Sequence, residues 1–384
     1  MIKAIILGNN IYGYYINQFI CRGYNLVVDE YGGDKIEAVA YWDYFNAGSS
    51  EDSDLPILTH SEVREYYTSQ KAEVLLIPYE CYNGQNDFLT AFFAVGLALD
   101  SIYIAKKLQN EYTSKQEIMD MFVPYYSCRK LPYLEYHIAD HCNLKCANCE
   151  HYSGLVPGEV FPDVEKFSED IHQLKKLIDD IGIIRILGGE PLLNPQIEEF
   201  IRITTDVYPD SLIRIVTNAL LLKTMPETFF DTVNSLPEGS GIDISLYPVM
   251  EAHIESIKNM LKEKKVSYSV SPVMNMFRKQ QKLAPSKDDE MNLKFYNCFQ
   301  KGCVNLYDGK IAACFLPFTT KYFNSYFDKN LPEDGWVDLY EEGLTTEMIR
   351  QKLSVPFERC RYCMEPVDLP WHVIHEPSVL EDWV

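Results

Sequence analysis

A chain of 384 residues has room for two or three domains with sizeable cores, and 47% apolar with 24% charged residues is ordinary for a folded protein. A net charge of −21 without a dense Lys/Arg block argues against nucleic acid as a partner, because a phosphate-backbone binder needs a basic face. The most apolar stretch, Phe88 to Leu99, is interrupted by Thr90 and Gly96 and stopped by Asp100, so it is too short for a bilayer and no membrane partner is expected.

The first residues, Met1 to Gly8, are too few for a signal peptide and lack a small-residue cleavage site. Lys3–Leu7 reads as a strand, with a glycine turn at Gly8 and Gly13. A helix then runs to about Cys21, with Gly23 as terminator, and Tyr24–Val28 reads as the next strand, ending at Asp29. Pro56–Leu58 and Ala72–Ile77 read as further buried strands. Helices are expected near Ser61–Tyr67 and Asp87–Leu99, and a polar loop at Ser49–Asp54. This alternation predicts a parallel, Rossmann-like α/β domain over residues 1–129. Asp29 follows Gly8 by 21 residues, near the spacing of a ribose-binding acid. Asn10, however, stands where the dinucleotide fingerprint needs its second glycine. Nucleotide binding and a docking or substrate-presenting role both stay open for this domain.

Residues 130–290 alternate strands at Tyr133–Ala139, Ile183–Leu187, Leu212–Val216, Gly241–Ser245 and Val266–Val270 with helical patterns at Val164–Ile181, Pro195–Val207, Pro226–Leu236 and Met250–Lys262. Repeated βα units predict a partial (β/α) barrel, whose active loops follow the C-terminal ends of strands. Cys142, Glu190, Asn218 and Ser245 all fall at such ends. Lys279 to Asp289 reads as a charged connector.

The segment His141-Cys142-Asn143-Leu144-Lys145-Cys146-Ala147-Asn148-Cys149 spaces three cysteines as C-x3-C-x2-C. Three thiolates can hold three corners of a four-iron cube and leave one iron open to a small ligand. The competing reading is a zinc knuckle completed by His141 or His151. About 40 residues on, Ile183-Ile184-Arg185-Ile186-Leu187 leads into Gly188-Gly189-Glu190-Pro191, which zinc would not explain. Together these motifs resemble the radical S-adenosylmethionine (radical SAM) enzymes. The resemblance implies a partial (β/α)6 TIM-like barrel. It implies a [4Fe-4S] cluster on Cys142, Cys146 and Cys149, and reductive cleavage of S-adenosylmethionine to a 5′-deoxyadenosyl radical that abstracts hydrogen from substrate. Gly188 and Gly189 would let the backbone pass close to the methionyl part, and Glu190 would accept hydrogen bonds from its ammonium. Thr217, Asn218 and Ser245 stand where the family contacts ribose or carboxylate. One departure is Asn148: many members have an aromatic residue just before the third cysteine. Adenine would instead lean on Tyr136, Tyr152 or the backbone near Tyr247.

Residues 291–384 read as loop-rich and carry five cysteines. Cys298 is followed by ten residues, Gly309, four residues and Cys314; Cys360-Arg361-Tyr362-Cys363 comes later. Asp308-Gly309 reads as a tight hairpin turn that returns Cys314 beside Cys298. The pattern resembles the twitch extension, a shortened relative of the SPASM domain. That resemblance implies an auxiliary [4Fe-4S] cluster on Cys298, Cys314, Cys360 and Cys363; a zinc ribbon is the alternative. Cys303 is left over, as an alternative ligand, a hydrogen donor or a small buried residue. Cys21, Cys81 and Cys128 are expected in ordinary apolar packing, and His137 as a satisfied core histidine.

The expected activity is oxidation or rearrangement of a sugar- or nucleotide-linked small molecule. The alternatives are a peptide-modifying maturase and a non-catalytic iron–sulfur or zinc scaffold. An electron donor such as flavodoxin or ferredoxin is implied. Eleven cysteines, mostly in metal-like groups, fit a reducing cytoplasm better than a disulfide framework.

Overall fold

The computed structural model describes residues 1–8, 10–44, 55–82, 92, 95–109, 112, 114–375 and 377–384. The chain divides into two compact units, Met1–Cys128 with Thr346–Met348, and Arg129–Thr345 with Ile349–Val384.

In the first unit β1 (Ile2–Leu7), β2 (Ile36–Trp42), β3 (Ile57–Leu58), β4 (Val74–Ile77), β5 (Ile102–Ala105) and β6 (Phe122–Pro124) form one sheet. The order is β3-β2-β1-β4-β5-β6, with only β6 antiparallel. This is the doubly wound order, with its switch point between β1 and β4. Both faces are buried: Ile5, Leu7 and Trp42 pack on one side, Ala4, Ile6 and Tyr41 on the other. That explains the continuous apolar runs. Gly13 is required, because a Cβ there would stand 2.1 Å from the Gly8 carbonyl oxygen.

Tyr24–Val28 is not a strand. The helix Ile11–Phe19 continues through a π-turn, Ile20–Tyr24, into a second helix, Asn25–Tyr31, which ends at Gly32 with φ +84° rather than at Gly23. The Asn25 side chain exchanges two hydrogen bonds with the Ile36 main chain, at 2.7 and 2.9 Å, which fastens this helix to the start of β2. Of Leu26-Val27-Val28, only the two valines are buried, as on one face of a helix. Asp29 therefore stands on a helix, paired with Lys35 at 2.5 Å, and not at a strand end. The Asn10 side chain accepts from the Tyr12 and Gly13 amides, each at 3.1 Å, so the first helix caps itself. Cys81 and Cys128 are buried as expected, but Cys21 is exposed. The greater part of the expected Asp87–Leu99 helix, the loop Ser49–Asp54 and Asn9 lie outside the described residues.

The second unit is built on β7 (Lys130–Ala139), β8 (Asp180–Gly188), β9 (Leu212–Thr217), β10 (Gly241–Ile244) and β11 (Tyr268–Val270), all parallel. Helices Val164–Lys175, Ile197–Val207, Glu227–Asn234 and Ile254–Glu263 cover one face. Ile184, Ile186, Ile213, Ile215 and Ile242 meet them there, each fully buried and worth about 1.5–3 kcal/mol. The alternate residues face the other way. On that face Asp243 accepts from Arg214 Nε at 3.0 Å, Arg185 Nη2 at 3.2 Å and Ser269 Oγ at 2.6 Å. Burial alone would raise its carboxyl, but these partners hold it below the usual range. The result is a partial (β/α) barrel with a polar inner face.

β12 (Met276–Gln281) lies within the expected connector and beyond it, and pairs antiparallel with β16 (Cys363–Pro370). Nor is the cysteine-rich region mainly loop. β13 (Asn305–Tyr307) joins β7 in parallel, and β14 (Lys310–Ala312) and β15 (Trp336–Asp338) extend the same sheet. Helices Asp288–Asn297 and Leu316–Phe327 flank them. The β13–β14 turn is Asp308-Gly309, with φ of +46° and +73°, the two left-handed positions of a tight hairpin. The Tyr307 and Tyr322 hydroxyls both donate to Asp140, Tyr307 at 2.7 Å. They tie the hairpin and the Leu316–Phe327 helix to the strand that leads into the cysteine loop.

Candidate active site

Cys142, Cys146 and Cys149 follow β7 and line one cavity of about 150 Å³. Gly188 and Gly189 from the end of β8, Thr217 and Asn218 from β9, and Ser245 after β10 complete its wall. Residues up to 103 positions apart in the chain are thus brought together by the strand ends.

The Gly-Gly-Glu loop is pressed against the end of β7. Gly188 has φ +151°, and a Cβ there would stand 2.1 Å from Ala139 O; on Gly189 it would stand 2.2 Å from His141 O. The Gly189 amide donates to Ala139 O at 2.7 Å and the Glu190 amide to His141 O at 3.1 Å. Glu190 is fully buried and stands behind this wall. Its Oε1 accepts from Thr217 Oγ1 at 2.7 Å and Leu192 N at 3.1 Å, and its Oε2 from Asn218 N at 2.9 Å. Burial pushes its carboxyl up to about 7 despite these donors. Glu190 therefore clamps the β8 loop to the end of β9.

Burial also pushes up the thiols of Cys142, Cys146 and Cys149, and the crowding of each by its neighbours adds to this for Cys142 and Cys146. A cationic metal core reverses that balance, because coordinated thiols are deprotonated. N–H groups already aim at the sulfurs: Leu144 N at 3.4 Å and Asn218 Nδ2 at 3.8 Å on Cys142, Trp371 Nε1 at 3.2 Å on Cys146. His141 Nδ1 accepts from Val160 N at 3.0 Å, and His151 Nδ1 donates to Gly188 O at 3.1 Å. Among the described residues no three His, Cys, Asp or Glu side chains converge as one metal ion requires.

Of the three tyrosines considered beside adenine, Tyr136 packs on the helix side against Phe167 and bonds Thr204. Tyr152 packs against Phe323 and Trp383. Tyr247 alone of the three lines the cavity, stacked on Trp371 with ring centroids 5.7 Å apart. Asn148 has φ +56°, a left-handed conformation that asparagine tolerates better than an aromatic residue, and its amide donates to Asp382 O at 2.7 Å. The segment Trp371–Ile374 lies along the cysteine loop, through Ala147 N to His372 O at 3.1 Å and Ile374 N to Lys145 O at 2.7 Å. Trp371 is 225 positions from Cys146, so no local spacing announces it. His137 is buried and its Nδ1 stands 3.5 Å from Asp140 Oδ1, while its Nε2 has no partner among the described residues, so the core histidine is satisfied at one ring nitrogen.

Cys298, Cys314, Cys360 and Cys363 line a second cavity of about 60 Å³, with Phe295, Leu316 and Phe357 around them. Burial raises each of these thiols, Cys298 to about 11. Cys303 is buried but is not in that wall.

A strand-end site that gathers three thiols and a glycine clamp is the arrangement the radical SAM resemblance implies. The Radical SAM superfamily model matches residues 136–237. GTP 3′,8-cyclase of Clostridium botulinum is 30% identical over 238 residues, covering 60% of this chain and 67% of that enzyme. The Aquifex aeolicus GTP 3′,8-cyclase is 25% identical over 264 residues, 61% and 78% of the two chains. Among solved structures, BtrN with AdoMet and 2-DOIA gives a TM-score of 0.38 at 15% identity, covering 61% of this chain and 93% of that one. Streptococcus suis SuiB bound to S-adenosylmethionine gives 0.34 at 12%, covering 62% and 71%. The chain belongs to the radical SAM superfamily. It is an enzyme, which sets aside the non-catalytic scaffold, and the family implies a [4Fe-4S] cluster and S-adenosylmethionine. No described helix is long and apolar enough to cross a membrane.

Glu190→Gln should weaken S-adenosylmethionine binding by roughly tenfold or more. An amide keeps one acceptor oxygen and turns an NH2 toward an existing donor, a loss of about 1–3 kcal/mol. Calorimetric titration reads the affinity and iron analysis should find the cluster content unchanged; lost iron would make Glu190 a support of the cysteine loop instead.

Proposed function

We propose that the Cys142, Cys146 and Cys149 cavity holds the cluster and the S-adenosylmethionine, and that the enzyme rearranges or oxidises a sugar- or nucleotide-linked small molecule. The observation that carries the first part is the shared cavity: three thiols, the Gly188-Gly189 backbone, Thr217, Asn218 and Ser245 around one space. The donor set fits a cube better than zinc. Three sulfurs spread around a cavity suit separate iron corners, whereas zinc needs four donors on one point. When bound, the cluster supplies one electron to the sulfonium, and the broken carbon–sulfur bond yields methionine and a 5′-deoxyadenosyl radical that takes hydrogen from substrate.

The chain's own residues bind, orient and shield. Gly188 and Gly189 offer main chain without side-chain bulk to the methionyl group. Asn218 and Ser245 offer polar groups to ribose or carboxylate, and Tyr247 on Trp371 offers a rigid aromatic wall to adenine. The polar inner face of the barrel, with Tyr133, Glu135, Arg185 and Asp243, suits a hydroxyl-rich or charged substrate. The GTP 3′,8-cyclase relatives tilt this toward a nucleotide-linked molecule. Cys298, Cys314, Cys360 and Cys363 would hold the auxiliary [4Fe-4S] cluster. A one-electron donor of the flavodoxin or ferredoxin kind, in a reducing cytoplasm, completes the reading.

Anaerobically reconstituted protein with dithionite and S-adenosylmethionine should release 5′-deoxyadenosine. Deuterium from a labelled sugar-nucleotide should appear in it; label transferred from a peptide instead would move the substrate class.

A further inference from the structure

Arg359 stands behind the C-terminal cavity and is fully buried. Its Nε donates to Thr320 Oγ1 at 3.0 Å, and its Nη2 to Gln281 Oε1 at 2.7 Å and Tyr152 Oη at 3.1 Å. Nη1 has no partner among the described residues. All three acceptors are uncharged. The Asp334 carboxylate accepts from the main-chain amides of Glu358 and Arg359, at 2.9 and 3.0 Å, and not from the guanidinium. A guanidinium is always charged, and a buried charge without a counter-charge is heavily penalised. The other side of this pocket is thiol: Arg359 directly precedes Cys360, and Gln281, which holds its Nη2, turns its own amide toward Cys363 Sγ at 3.9 Å. Tyr152 links the guanidinium to the first cysteine loop, its hydroxyl accepting from Arg359 and its main-chain amide donating to Cys149 O at 3.0 Å.

We propose that Arg359 is the built-in counter-cation of the four-thiolate site, a positioning residue that offsets the negative charge of the auxiliary cluster and raises its reduction potential. This rests on the auxiliary-cluster reading above. Four thiolates give a four-iron cube a net negative charge, and each electron gained adds another. A fixed positive charge in a low-dielectric interior favours the reduced form. The step is one electron from a low-potential one-electron donor into the cluster, with no bond at the cysteines made or broken.

Potentiometric titration followed by electron paramagnetic resonance, on anaerobic full-length holoenzyme, tests this in Arg359→Gln and Arg359→Lys. In R359Q the auxiliary midpoint should fall by about 59 mV, tenfold in the reduction equilibrium, or more. The cluster on Cys142, Cys146 and Cys149 should move less, and R359K should stay near the wild type. An R359Q midpoint equal to wild type overturns the inference. If R359Q does not accumulate folded, R359K decides. Full iron with a near-wild-type midpoint supports the charge; a folded R359K that has lost the auxiliary iron shows that the fork geometry mattered instead, and overturns it. Wild-type protein with zinc, or with about four irons, removes the auxiliary cluster itself and the inference with it.

Discussion

Cys142→Ala, Cys146→Ala and Cys149→Ala combined should lower iron from about eight to about four per chain and 5′-deoxyadenosine to background. The three thiols share one cavity, and among the described residues no other cysteine lines it. The triple change is the informative one, since two remaining thiolates can still retain partial clusters. The residual iron should keep the spectrum of the Cys298, Cys314, Cys360 and Cys363 site. The two cysteine sets line separate cavities, so emptying one should leave the other loaded. Iron, optical and resonance spectra of the anaerobic variant check this. Undiminished 5′-deoxyadenosine would remove the proposed site outright.

Gly189→Ala should be nearly as damaging without touching a single ligand. The added carbon would stand 2.2 Å from His141 O and 2.8 Å from Asp140 O, both main-chain atoms that cannot swing aside. Relief requires either the Gly-Gly-Glu loop or the start of the cysteine loop to move. The cost is more than about 3 kcal/mol, at the upper end for single substitutions. We expect a lowered melting temperature, partial loss of iron and weaker S-adenosylmethionine binding. Gly23→Ala is the control: the chain is helical there, and the Cβ meets Phe19 at an ordinary 3.5 Å. Alanine is the better helix former, so that change should be neutral or mildly stabilising. Equal damage from both would mean the clash at Gly189 is relieved cheaply.

Which parts were legible in the sequence follows from where the information lies along the chain. The strands β7 to β11 announce themselves because each is apolar on the helix-covered face, and β7 to β10 are each followed by a helical repeat. The residues at their C-terminal ends are local features, and the fold gathers Cys142, Gly188, Asn218 and Ser245 as the βα pattern requires. The Asp308-Gly309 turn was readable for the same reason. Tyr24–Val28 reads as a strand because a five-residue, mostly apolar run has no period long enough to separate strand from helix. What decided it was Asn25 bonding to Ile36, a contact outside the run. Asn148 looked like a missing aromatic residue until its backbone conformation was known. Trp371 and Arg359 were illegible for a further reason. One meets Cys146 across 225 positions, and the other is an arginine whose burial no hydropathy pattern signals.

The segment Trp371–Ile374 carries a consequence for how the protein is made. During synthesis the loop bearing Cys142, Cys146 and Cys149 emerges from the ribosome more than two hundred residues before the strip that bonds Cys146, Lys145 and Ala147. Until that strip arrives, Cys146 lacks its indole donor and Tyr247 lacks its stacking partner. Iron delivered to the nascent chain would meet a half-walled pocket open to water and oxygen. On the proposed assignment, stable metal loading is expected only after translation has passed residue 374.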